Sequence, residues 1–201
     1  MKFALPGRLA TRSRLLVACA ALGISGGACG SSSGGTAMSD GGDGGLPDPA
    51  RFGFETDVQG WASGPILPVT NIGISSVQKA AGAKSLVGTI AATAGSMEPY
   101  VMEIVFTEML ETITPGSKAT FHVYVPTGAA VNAFQPYLNE SDTAPTAYRF
   151  TGTWSVPTPG AWQTIEVEAP SDVTGLLKVG VQFFVNAAWT GQVYVDSVDF
   201  H

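Results

Sequence analysis

Three short segments place polar or aromatic side chains at every second position, opposite a run of apolar ones. In Phe121-His122-Val123-Tyr124-Val125, His122 and Tyr124 alternate with the oily residues. In Ala133 to Asn139, Gln135, Tyr137 and Asn139 oppose Phe134, Pro136 and Leu138, and in Val179 to Val185, Gln182 and Phe184 oppose Val181, Phe183 and Val185. Residues two apart on a strand share a face, so each segment buries its apolar side and presents the other. If the three strands neighbour one another in one sheet, His122, Tyr124, Gln135, Tyr137, Gln182 and Phe184 form a shelf of rings and planar amides with few charges. That chemistry suits a neutral carbohydrate, because rings stack on the apolar faces of pyranoses while amides and hydroxyls both donate to and accept from sugar hydroxyls. The competing reading is a solvated sheet face, or one covered by a loop, on which Tyr and Gln simply favour strands.

The four tryptophans divide by context. Trp154 and Trp189 lie in loop-like sequence and are expected to be exposed ring platforms beside the shelf, whereas Trp61 and Trp162 sit at turn-to-strand junctions and are expected in the core.

Catalytic chemistry finds less support. A glycoside hydrolase needs two facing carboxyl groups, and nothing in the sequence pairs Glu103, Glu166 or Glu168. A polysaccharide lyase would use a Tyr, a His and cations against a uronate. His122 and Tyr124 share a face, but after residue 30 only Arg51, Lys79, Lys84, Lys118, Arg149 and Lys178 stand against all sixteen acids. That balance disfavours polyanionic substrates, and it excludes nucleic acid as a partner for want of a basic patch. No nucleophile elbow, phosphate loop or zinc-type His/Cys cluster occurs.

The elements that must position these residues read as strands throughout. From Phe52 onward, β-rich runs alternate with Gly, Pro, Asn and Ser breaks, and no ten-residue stretch has a helical period. Strands are expected at 52–56, 72–77, 85–90, 100–106, 118–125, 133–139, 162–168, 178–185 and 192–200, which makes the fold all-β, a jelly-roll sandwich of two antiparallel sheets.

The domain is bounded by residues 51–201. Before it, residues 1–29 read as an export signal, with Lys2, Arg8, Arg12 and Arg14 ahead of the apolar run Leu15 to Ile24. The Gly26-Gly27-Ala28-Cys29 sequence makes Cys29 the expected lipidated N-terminus, with Cys19 or a plain secretory cleavage as alternatives. Residues 30–50, rich in Gly and Ser, read as a flexible tether. Both cysteines precede the domain, which therefore has no disulfide. The expected localisation is the bacterial cell envelope, with the membrane touched only through the lipid, or else secretion.

The order of landmarks is familiar: Phe54-Glu55, Gly60-Trp61, Gly82-Ala83-Lys84-Ser85-Leu86, Thr114-Pro115-Gly116-Ser117, Gly160-Ala161-Trp162, Val179-Gly180-Val181-Gln182 and Gly191-Gln192-Val193-Tyr194-Val195-Asp196. Together they resemble the jelly-roll carbohydrate-binding modules, of galactose-binding-like type, attached to bacterial glycoside hydrolases. The resemblance implies a non-catalytic module whose concave sheet binds a polysaccharide or oligosaccharide, and the chain is expected to be a monomer. It also implies a structural calcium held by Glu55, Asp196 and the backbone carbonyl of Lys84, with Asp57 or Asp199 as substitutes. The expectation is therefore neutral-polysaccharide binding by an exported, lipid-anchored module. The rivals are a calcium-stabilised surface module that contacts another protein and, more weakly, a jelly-roll lyase or hydrolase.

Overall fold

The computed structural model describes residues 50–106, 114–140, 150–173 and 177–201. The signal, Cys19, Cys29 and the tether up to residue 49 lie outside the described residues. Among these residues ten strands form two five-stranded sheets. They are β1 (Ala62–Ser63), β2 (Thr70–Ser75), β3 (Ser85–Ala92), β4 (Tyr100–Val105), β5 (Lys118–Tyr124), β6 (Val131–Asn139), β7 (Phe150–Thr151), β8 (Trp162–Glu168), β9 (Lys178–Val185) and β10 (Trp189–Phe200).

The first sheet has the order β1-β4-β9-β6-β7 and the second β2-β3-β10-β5-β8. Every strand pairing within them is antiparallel. Alternation is the cause of the two-layer packing: along β5, Ala119, Phe121 and Val123 are buried while Lys118, Thr120, His122 and Tyr124 are half-exposed. The inward residues of both sheets meet in one core that includes Phe121, Val123, Phe134, Leu138, Val181, Phe183, Val193 and Val195. Each such side chain contributes about 1.5–3 kcal/mol by leaving water.

The segment Phe52 to Thr56 departs from the expected strand. Phe52 makes a single bridge to Val198, with N–H to carbonyl distances of 3.0 and 3.1 Å, and then Phe54 turns into the left-handed region at φ 54°. Extended pairing cannot continue through that conformation. Gln59 Oε1 accepts the Phe54 N–H at 2.8 Å and holds the turn. Phe52, Phe54 and Trp61 then plug the end of the sandwich with ring centroids 5.7 to 6.5 Å apart. At the other end of the chain β10 begins at Trp189, before the expected Gln192, because Thr190 and Gly191 pair with Ala91 and Ile90 instead of breaking the strand. A bulge at Ser197, φ 47°, lies between the Asp196 and Asp199 pairings.

Candidate functional site

The register of the first sheet settles which polar residues share its outer face. Gln182 on β9 pairs with Gln135 on β6 and with Val101 on β4, and Gly180 pairs with Tyr137 and Glu103. Gln135, Tyr137, Gln182 and, at the next position, Phe184 are therefore on one face. Tyr137 crosses β9 above Gly180, where a Cβ would stand 2.7 Å from its ring and hydroxyl, and it donates a hydrogen bond to the Glu103 carboxylate. Both residues are buried. Gln135 Nε2 donates to the Gly152 carbonyl at 2.7 Å. Gln182 is only 4% exposed, and its Nε2 has no hydrogen-bond partner among the described residues. An unsatisfied buried amide costs about 1–3 kcal/mol. The four residues form a recessed polar floor rather than an open shelf.

The open part of the face lies beyond Gln182. Phe184 and Trp154 bring their rings to 4.2 Å between centroids, tilted by 45°, with Trp154 52% exposed. Phe134 and Ser155 exchange two backbone hydrogen bonds, 3.0 and 2.9 Å, and these hold the Trp154 segment against β6. The two rings wall a cavity of about 500 Å³ lined also by Ser96, Met97, Asn132 and Asn186. A bulge between Val131 and Ala133 frees Asn132 from the ladder, and the Ser96 N–H is fixed to the Val185 carbonyl at 2.8 Å. No lining side chain is charged. Rings, amides and a hydroxyl around an uncharged hollow suit a neutral ligand with apolar faces and hydroxyl edges.

His122 and Tyr124 are elsewhere. They lie on the outer face of the second sheet, paired with Asp196 and Tyr194 of β10, so the six-residue shelf expected from parity is not formed. Parity fixes the face of a strand but not the sheet to which it belongs, and β5 pairs with β10 and β8 instead of β6 or β9. Two tryptophans are corrected as well. Trp189 has the inward parity of Gly191 and Val193, lies against Gly191 and packs on the core, so it is no loop platform. Trp162 is half-exposed on the outer face of the second sheet, 5.5 Å from Tyr124, and is not core. Trp61, 2% exposed, is core as expected. No local pattern marked Met97, Ser96 or Asn132, which are brought together only where a loop meets the start of β6. Asn186 continues the parity of Gln182 and Phe184 by one step and was legible to that extent.

Of the carboxylates weighed for catalysis, Glu103 is held by Tyr137 and Glu166 pairs with Lys118 at 3.0 Å on the surface. Hydrogen bonding and charge from Glu166 raise the Lys118 pKa, and Lys118 in turn lowers that of Glu166.

Glu55 and Asp196, the carboxylates to which the resemblance assigns calcium, reach one turn from two sides. What meets them there is N–H. Ala83 N lies 3.0 and 3.1 Å from the Glu55 oxygens, and Ala80 N and Ala81 N lie 2.7 and 3.2 Å from Asp196 Oδ2. Ser197 N donates to Asp196 Oδ1 at 2.8 Å. Calcium takes about six to eight oxygen ligands, and the positive ends of N–H groups oppose a cation. Among the described residues no three His, Cys, Asp or Glu side chains group as metal ligands. In this arrangement the Glu55 and Asp196 carboxylates staple the turn through its amides.

No family model matches the chain, and no curated protein matches it by sequence. Solved structures do match. A carbohydrate-binding module of the β-sandwich superfamily, described for promiscuous specificity, is 22% identical with a TM-score of 0.60, over 77% of this chain and 62% of its own. The C-terminal family 22 carbohydrate-binding module of Clostridium thermocellum Xyn10B is 18% identical with a TM-score of 0.51, over 76% and 94%. The K1 cleaved adhesin domain of Lys-gingipain from Porphyromonas gingivalis is 14% identical with a TM-score of 0.50, over 74% and 95%. This chain spans less than two thirds of the first of these structures. The fold is the jelly-roll β-sandwich of carbohydrate-binding modules.

Proposed function

We propose that the domain binds a neutral polysaccharide without catalysis, through the outer face of the first sheet. The observation that carries this reading is the Trp154–Phe184 ring pair walling an uncharged, amide-lined cavity. A pyranose stacks on the exposed Trp154 ring, and Asn132 and Asn186 bond its hydroxyls. The non-catalytic reading is supported by the cavity lining, which carries no carboxylate. The signal-like start and Gly26-Gly27-Ala28-Cys29 support an exported protein held at the bacterial envelope by lipid on Cys29, with the Gly/Ser tract providing reach.

Affinity electrophoresis of the mature chain against neutral glucans, xylans and mannans tests the function. Retardation by at least one polymer, lost on Trp154→Ala, is the expected result; unchanged mobility on all of them would refute it.

A further inference from the structure

The outer face of the second sheet carries a row of rings that the proposed site does not use. Trp162, Tyr124 and Tyr194 stand at paired positions on the adjacent strands β8, β5 and β10, with centroids 5.5 and 5.8 Å apart. Tyr194 is 4% exposed and its hydroxyl bonds to Gln192 Oε1 at 2.8 Å, so it backs the row, while Trp162 and Tyr124 are half-exposed. The next row is polar: Thr164, His122 and Asp196. His122 Nδ1 and the neighbouring Thr120 Oγ1 are buried atoms with no hydrogen-bond partner among the described residues. Thr164 also lines a groove of about 450 Å³ along the edge of β8, with Thr153, Ser155 and Glu166.

The charges here favour a neutral occupant. Lys118 on this face is neutralised by Glu166 at 3.0 Å, Asp196 is engaged with the Ala80 and Ala81 amides, and the acidic balance of the domain disfavours a polyanion. A purely apolar partner would cover the rings but strip water from the exposed Thr164 hydroxyl beside them without replacing its hydrogen bonds. A ligand with apolar ring faces and hydroxyl edges satisfies both rows at once.

We infer that this face is a second carbohydrate contact, in which Trp162 and Tyr124 stack on a sugar ring and His122 and Thr164 bond its hydroxyls. It takes its ligand class from the function proposed above, but it is a separate site on the opposite side of the sandwich. A domain with sites on both outer faces engages two chains, or two stretches of one, and so gains avidity on a polymer without any new contact.

Calorimetric titration of the mature chain with a neutral oligosaccharide taken from the retarding polymer decides it. The expected stoichiometry is two per chain for the wild type, one for Trp154→Ala, one for Trp162→Ala and none for the double variant. Thr164→Arg, an exposed substitution that blocks the groove without touching the core, is expected to reduce two to one as well, which covers misfolding of Trp162→Ala. A stoichiometry of one that Trp154→Ala abolishes, and that neither Trp162→Ala nor Thr164→Arg changes, would overturn the second site and leave the first intact. Absence of binding in the wild type would overturn both.

Discussion

The Tyr137 hydroxyl donates to the Glu103 carboxylate across the backbone of Gly180, so a single side chain ties together β6, β9 and β4. Both groups are buried on the outer face of a sheet, where solvated side chains are the rule, and the pair sets the floor level on which Gln182 and Gln135 lie.

Removal of that donor leaves a buried carboxylate short of a partner. Tyr137→Phe is expected to destabilise the fold by about 1.5–3 kcal/mol, the usual range for a hydrogen bond to a charged group. Gly180→Ala is expected to be harmful too, since its Cβ would meet the Met102 carbonyl and the Tyr137 ring, each at 2.7 Å. Urea unfolding followed by tryptophan fluorescence measures both, and a stability equal to wild type for Tyr137→Phe would remove the pair from the account.

Trp154 and Trp61 separate contact from core. Trp154→Ala is expected to weaken polysaccharide binding by about tenfold or more while leaving stability within about 0.5 kcal/mol, because the ring is half in solvent. Trp61→Ala removes a ring packed on Phe52 and Phe54 and should cost about 3–5 kcal/mol. Paired binding and melting curves for the two variants check this, and comparable loss of stability in both would contradict it.

The turn at Ala80 to Ala83 should hold without calcium. If amides are the partners of Glu55 and Asp196, adding a chelator leaves Tm unchanged, whereas Asp196→Asn, which turns one of the two acceptor oxygens into a donor facing backbone N–H in either orientation, lowers it. Differential scanning calorimetry with and without calcium is the measurement. A calcium-dependent rise in Tm would instead assign these carboxylates to the ion.

The Lys118–Glu166 pair gives a pH dependence of known sign. The Glu166 pKa is lowered from its ordinary 4.5 by hydrogen bonding to Lys118, so its contribution is present above 4.5 and is lost as pH falls through the lowered folded value. The Lys118 pKa is raised from 10.5 by Glu166, so its contribution is present below 10.5 and is lost as pH rises through the raised value. Both groups are exposed and screened by solvent, so Lys118→Met is expected to lower Tm only slightly at neutral pH. That difference should vanish at strongly acidic pH; melting curves across pH check it, and a difference that persists in acid would assign the effect of Lys118 to packing.

Local pattern was sufficient for much of this protein. Alternation of apolar and polar residues over two-residue periods marked eight of the strands, because burial of one face of a pleated strand leaves that signature wherever it occurs. The same alternation placed Gln135, Tyr137, Gln182 and Phe184 on outward faces, since β6 and β9 keep regular register across those residues. The balance of acids over bases marked the domain as an unsuitable partner for polyanions, which depends only on charge.

What alternation does not contain is the partner of each strand. His122 and Tyr124 have the same outward parity as Gln182, yet β5 was placed in the other sheet by long-range pairing with β10 and β8, and a periodic signal carries no information about that choice. Depth was likewise hidden: Gln182 and Tyr137 are outward but buried, because Gly180 lets a ring lie flat across its neighbour. Trp189 looked like a loop residue and is a strand residue facing inward, because Thr190 and Gly191 found partners on β3. The cavity beside Trp154 exists only where the loops bearing Met97 and Asn186 converge on Asn132 at the start of β6, residues distant in sequence that tertiary packing alone brings together.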